Sequence, residues 1–108
     1  SHVRMMMNLV MMGIDCLPRG GVIHVRIRNE QVGLTITLTC KGNRARLRPD
    51  IANGIKGIEP EDGWRPETIQ PLFSKIICDG LGGELTASES EETVIMSCSA
   101  PLRMMLNT

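Results

Sequence analysis

Four cysteines, two histidines and one dense basic run are the residues of this 108-residue chain whose chemistry could go beyond packing. Cys16, Cys40, Cys78 and Cys98 could in principle hold zinc or act as thiolates. Zinc sites draw on close ligand pairs, and here there is no Cys-x-x-Cys and only His2 and His24 to complete a set, so a metal framework is not expected. Each cysteine falls where the apolar pattern faces inward, and there a free thiol behaves as a small hydrophobe. Reduced thiols of this kind fit a cytoplasmic protein. His24 stands on the polar side of a strand beside Arg26 and Arg28, with no carboxylate or nucleophile at a matching spacing, which reads as a solvated side chain. The run Lys41–Arg48, KGNRARLR, carries four basic residues in eight. It reads as a solvated loop, with Lys41, Arg44, Arg46 and Arg48 as candidates for docking an acidic partner.

Composition narrows the field further. Twelve basic and twelve acidic residues cancel, and the pI is near 6.7. No bulk attraction to nucleic acid or to a membrane surface follows. Phe73 and Trp64 are the only aromatic residues, which argues against stacking of nucleic-acid bases on exposed rings. No apolar run approaches the ~18–20 residues of a membrane span. The first residues lack the basic and small-residue marks of a secretory signal. A chain of this length, 42% apolar, is expected to build one core, hence a single domain over residues 1–108.

The elements that must position these residues are legible from periodicity. Met5, Leu9, Met12 and Cys16 make one apolar helical stripe, and Met6, Val10, Gly13 and Leu17 a second beside it. So wide an apolar face is either deeply buried or touches something beyond this chain. Pro18 and Gly20-Gly21 stop the helix, and Ser1 could cap its start. Ile23, Val25 and Ile27 then alternate with polar residues, and after a turn over Asn29–Gly33 so do Leu34, Ile36, Leu38 and Cys40: a hairpin. Arg48-Pro49-Asp50 starts a short helix running to Gly57. The segment from Ile58 to Arg65 is loop, pinned by Trp64. A second long helix begins near Pro66, with Ile69, Leu72, Phe73, Ile76 and Ile77 facing the sheet and Pro71 in its first turn or at a break. It stops at Gly80, Gly82 and Gly83. Two strands follow, Glu84–Ser88 and Thr93–Ala100, joined by the acidic turn Glu89–Glu92. The tail Leu102–Leu106 is apolar enough to dock on the core. The order predicts an α+β two-layer sandwich: a mixed, largely antiparallel sheet with helices on one face.

This order, with these glycines, resembles the ATP-binding domain of sensor histidine kinases and of gyrase, the Bergerat or GHKL fold. The kinase N box reads roughly N-L-L-x-N-A-x-K before a Gly-Gly turn and a strand. Asn8-Leu9-Val10-Met11-Met12-Gly13-Ile14-Asp15 lies on that pattern, followed by Pro18-Arg19-Gly20-Gly21. Near the other end, LFSKIICDGLGGELTAS over residues 72–88 is similar to the kinase helix that runs into a Gly-Gly and a strand. The resemblance covers almost the whole chain, but its chemistry is missing. The magnesium-holding asparagine of the N box is Met12, and a thioether does not take the place of an oxygen ligand on Mg²⁺. The kinase D-x-G-x-G falls on Cys40-Lys41-Gly42-Asn43-Arg44, where only Gly42 survives. The later glycine box falls near Arg65–Ile69, with no glycine at all, so no backbone nest can cradle phosphates there.

A degenerate domain of this kind with LPRGG after its N-box helix resembles the C-terminal domain of the ChpT-type histidine phosphotransferases of alphaproteobacteria. The resemblance implies a phosphorelay function: passing phosphate from the receiver of a hybrid kinase to response regulators, without ATP or another cofactor. It also implies an upstream helical hairpin that carries the phosphorylated histidine and forms a homodimer. His2 does not match that acceptor. On this reading Asn8, Met12, Cys40, Gly42 and Arg44 are the remnant of a nucleotide pocket that no longer binds. Two other readings share the pattern: a divergent kinase that still binds nucleotide, and an interaction module such as an anti-sigma-like domain.

Overall fold

The computed structural model describes residues 2–30 and 33–100. Along the chain run α1 (His2–Asp15), β1 (Val22–Glu30), β2 (Gly33–Lys41), α2 (Pro49–Gly54), α3 (Pro66–Gly80), β3 (Glu84–Ser90) and β4 (Thr93–Ala100). This is the expected order. The strands form one sheet, β1-β2-β4-β3, and each of its three ladders is antiparallel. The largely antiparallel character holds, but the expectation of a mixed sheet is corrected: two short-turn hairpins fix β1-β2 and β3-β4 as antiparallel, and β4 also runs antiparallel to β2. Part of the Asn29–Gly33 turn, Ser1 and the Leu102–Leu106 tail lie outside the described residues.

Side-chain alternation divides the sheet into an apolar and a hydroxyl-lined face. Ile36, Leu38 and Cys40 on β2 sit opposite Cys98, Met96 and Val94 on β4, and all six are buried. On the other face Thr35 hydrogen-bonds Ser99 at 2.8 Å and Thr37 bonds Ser97 at 3.3 Å. The helices cover the apolar face. The first stripe, Met5, Leu9 and Met12 of α1 with Cys16 just past its end, is buried throughout. Gly13 lets α1 come close to β2, since a Cβ there would lie 2.8 Å from Cys40 Sγ. The outward side of α1 carries Val3, Met7, Met11 and Ile14, all exposed, so its apolar character extends well past the core.

The packing of α3 departs from the periodicity. Phe73 and Ile76, expected against the sheet, are 53% and 54% exposed. The buried positions are Pro71, Ser74, Cys78 and, just past the helix, Leu81. This line faces α1 and α2 as well as the sheet, and the Ser74 hydroxyl is satisfied by donating to the Gln70 carbonyl at 3.1 Å. Pro71 stands inside the helix rather than in its first turn. It packs against α2, where a Cβ on Gly54 would fall 2.6 Å from the Pro71 Cβ. At the far end of α3, Gly82 takes a φ of +71° and Gly83 N donates to the Cys78 carbonyl at 2.9 Å. These are the marks of a glycine C-cap. The second hairpin is tighter than expected, because β3 continues to Ser90 and only Glu91 and Glu92, at φ of +25° and +59°, make the turn. Trp64 is half-buried in its loop.

Candidate functional site

The five residues on the nucleotide-pocket pattern are not gathered into one pocket. Met12 is 1% exposed and Cys40 fully buried, so both belong to the core. Asn8, one turn before Met12, opens instead into a groove of about 610 Å³ between α1 and α3, shared with Met11, Ile69, Phe73 and Ile76. Gly42 is taken up by a contact between two turns. A Cβ on Gly42 would stand 2.3 Å from the Gly20 carbonyl oxygen, and one on Gly21 would stand 2.2 Å from the Lys41 carbonyl oxygen. Arg44 lies outside this seam with its side chain exposed and its backbone at φ +64°. A magnesium–nucleotide complex needs hard oxygen ligands and an approachable glycine backbone. A buried thioether, a buried thiol and a glycine already pressed against its neighbour do not fit that group. Among the described residues, no group of three or more His, Cys, Asp or Glu side chains is placed to share a metal ion.

The basic run is built differently. Its backbone is held by the acidic β3–β4 hairpin: Arg44 N donates to the Glu92 carboxylate, and Leu47 N donates to Glu89 Oε2 at 2.7 Å. Arg46 N donates to the Cys16 carbonyl at 3.1 Å, tying the loop to the end of α1. Ala45 is buried and Leu47 half-buried, while Arg44, Arg46 and Arg48 point out. Arg46 and Arg48 edge a cleft of about 580 Å³ with Ile14, Asp15, Pro18 and Pro49. Arg48 also pairs with Asp50 at 3.0 Å. Lys41 does not join them. It lines a separate trough of about 680 Å³ on the sheet face opposite the helices, with His24, Arg26 and Arg28 of β1 and Thr37 and Thr39 of β2. The residues grouped by sequence as one run therefore lie on two surfaces. Glu89 and Glu92 were legible only as turn residues, although their charge, opposite to that of the loop they hold, was the available signal.

Burial has a measurable consequence for the thiols. Burial, and secondarily the neighbouring Cys16, push the Cys40 thiol up from 9.0 to about 11. Burial also raises Cys16, against the opposing effect of a hydrogen bond from the Arg48 backbone. For an acid whose folded pKa is raised, the unfolded chain loses its proton first as pH rises. The stability contributed by keeping the Cys40 thiol neutral is full below pH 9 and lost as pH climbs toward about 11, and Cys16 acts in the same direction. Urea midpoints are expected to be flat up to pH 9 and to fall above it, with a smaller fall in Cys40→Ala.

Comparison with known proteins now decides the family. Residues 1–93 match the model of the histidine phosphotransferase C-terminal domain. The chain belongs to that family. The chain is 23% identical over 97 residues to the protein phosphotransferase ChpT of Brucella abortus, an alignment that covers 90% of this chain and 46% of that protein. It thus spans about half the length of the curated relative it matches. A solved bacterial phosphotransferase superposes with a TM-score of 0.81 at 23% identity, over 90% of this chain and 47% of that one. The catalytic domain of the histidine kinase ThkA superposes with a TM-score of 0.63 at 18% identity, over 91% of this chain and 63% of that one. At these identities the likenesses speak for the fold. The domain has the histidine-kinase catalytic fold, as the N-box and Gly-Gly pattern implied. Among the described residues, no helix is long and apolar enough to cross a membrane.

Proposed function

We propose that this phosphotransferase domain is the part of a cytoplasmic phosphorelay protein that supports and docks partners and no longer binds ATP. The phosphate would pass between receiver domains, one on a hybrid kinase and others on response regulators, through a histidine on a dimerising helical hairpin outside these 108 residues. The observation that carries the reading is Met12: the N-box position that would hold magnesium is packed into the core, 1% exposed. Phosphotransfer between histidine and aspartate needs a presented imidazole and correct positioning, not a nucleotide pocket. Titration with ATP and Mg²⁺ is expected to give no heat and no shift in melting temperature. A saturable rise in melting temperature would reject this reading in favour of a divergent nucleotide-binding kinase.

Receiver domains carry an acidic phosphorylation pocket, and the exposed arginines supply the complementary charge. Arg44, Arg46 and Arg48 form the docking edge, with Lys41 on the sheet side as a weaker contributor. Charges at the rim of an interface act mainly on association rate and salt dependence. The double reversal Arg44→Glu/Arg46→Glu in the full-length protein is expected to slow receiver association about tenfold and to flatten its salt dependence. Lys41→Glu should change it less. Unchanged association and transfer rates in the double variant would remove this loop from the docking surface.

A further inference from the structure

Cys78 and Cys98 take no part in the old nucleotide motifs or in the basic loop. Cys78 sits in the last turn of α3 and Cys98 on β4, and both are fully buried. Their sulfurs are 2.8 Å apart. That is shorter than the roughly 3.5–4.0 Å at which even two unbonded carbon atoms rest. It is within about 0.8 Å of the ~2.05 Å of a disulfide bond.

Both backbones are anchored at this separation. The Cys78 carbonyl accepts from Leu81 N at 3.1 Å and from Gly83 N at 2.9 Å, within the glycine cap of α3. Cys98 is paired on both sides, with Ile36 of β2 and Leu85 of β3. The contact is therefore set by the helix stop and the sheet register, two features unrelated to each other in sequence.

We propose that Cys78 and Cys98 are an oxidation site at which a peroxide closes an intramolecular disulfide, tying the end of α3 to the sheet. In the first step the Cys78 thiolate attacks a peroxide oxygen and the O–O bond breaks. Cys78 becomes a sulfenic acid and, with hydrogen peroxide, water leaves. In the second step the Cys98 sulfur attacks the Cys78 sulfur. The S–S bond forms, the S–O bond breaks and a second water leaves. Two electrons pass from the thiols to the peroxide, and the two thiol protons end in the waters. The order of attack follows from position: Cys78 lies in the last turn of α3 beside the glycine stop, whereas Cys98 lies within β4 and is paired on both sides. The oxidant reaches the pair by transient opening of the turn Gly80–Gly83 that ends the helix, a type of local event common at element ends.

Closing the loop from residue 78 to residue 98 restricts the unfolded chain, so the oxidised form is expected to melt higher, by on the order of 10 °C. The experiment treats purified full-length protein with hydrogen peroxide, alkylates remaining thiols in denaturant, and maps peptides by mass spectrometry. The expected result is a linked Cys78–Cys98 peptide lacking two hydrogens, Cys16 and Cys40 alkylated, and a raised melting temperature that dithiothreitol returns to its starting value. In Cys98→Ala the second step has no attacking sulfur, so a dimedone adduct is expected at Cys78 with no gain in melting temperature. The dithiothreitol reversal in the unmutated protein keeps the test decisive should that variant fail to fold. Four alkylated thiols after peroxide treatment, a linkage between any other pair, or a fall in melting temperature on oxidation would overturn the proposal.

Discussion

Restoring the N-box asparagine by Met12→Asn is expected to lower stability by about 2–4 kcal/mol and to confer no affinity for ATP. Met12 is 1% exposed in a core made of Leu9, Leu38, Cys40 and their neighbours. The substitution removes apolar burial and introduces an amide with two donors and an acceptor that these side chains cannot satisfy. Each unmet group costs its own desolvation, which is why the expected loss exceeds that of a simple truncation of similar size. Met12→Leu, which roughly conserves volume and polarity, should cost less than about 1.5 kcal/mol. Urea denaturation reads the first effect and calorimetric titration with ATP and Mg²⁺ the second. An asparagine variant as stable as the parent and able to bind ATP would show that the nucleotide site survives, and the reading of this domain as a docking support would fall with it.

Gly21→Ala is expected to destabilise the domain by about 2–5 kcal/mol, summing strain in the backbone and overpacking. Gly21 has a φ of +149°, a conformation that side-chain-bearing residues rarely adopt, and its Cβ would lie 2.2 Å from the Lys41 carbonyl oxygen. The clash is with backbone, so no rotamer change relieves it. Gly20→Ala is the informative comparison. Its φ of +75° carries a conformational cost, but no atom stands within 4 Å of the new Cβ. A loss nearer 1 kcal/mol is expected there. Equal losses at the two positions would mean that the contact with Lys41 and Gly42 is soft. The Gly-Gly turn and Gly42 thus hold each other, and the close backbone approach that such glycines can offer a phosphate is already used within the fold.

The strands, the α1 stripe and the inward cysteines could be read directly from the chain, because each rests on a local period. Alternation of Ile36, Leu38 and Cys40 with threonines leaves one arrangement that buries a face, and Met5, Leu9, Met12 and Cys16 leave one buried stripe. The replacements at the N box and at the D-x-G-x-G aspartate were equally legible, since Met12 and Cys40 are read directly off those positions. The face of α3 was not. Apolar residues cover so much of its surface that periodicity alone favoured Phe73 and Ile76, while packing against α1, α2 and the sheet together chose the line of Pro71, Ser74 and Cys78.

Contacts between distant residues escaped the sequence for a different reason. Glu89 and Glu92 hold the basic loop across 42 and 48 residues, and Cys78 meets Cys98 across 20. Each depends on the register in which β4 pairs with β2, where Lys41 falls opposite Thr93 and brings the acidic turn beside the arginines. A period-two strand specifies which face is buried, but several registers preserve the same face. The sequence by itself therefore determined the family of the fold and which positions of its motifs carry other side chains. The tertiary structure decided which charges share a surface and which two thiols touch, because only the assembled sheet selects one register among those the pattern allows.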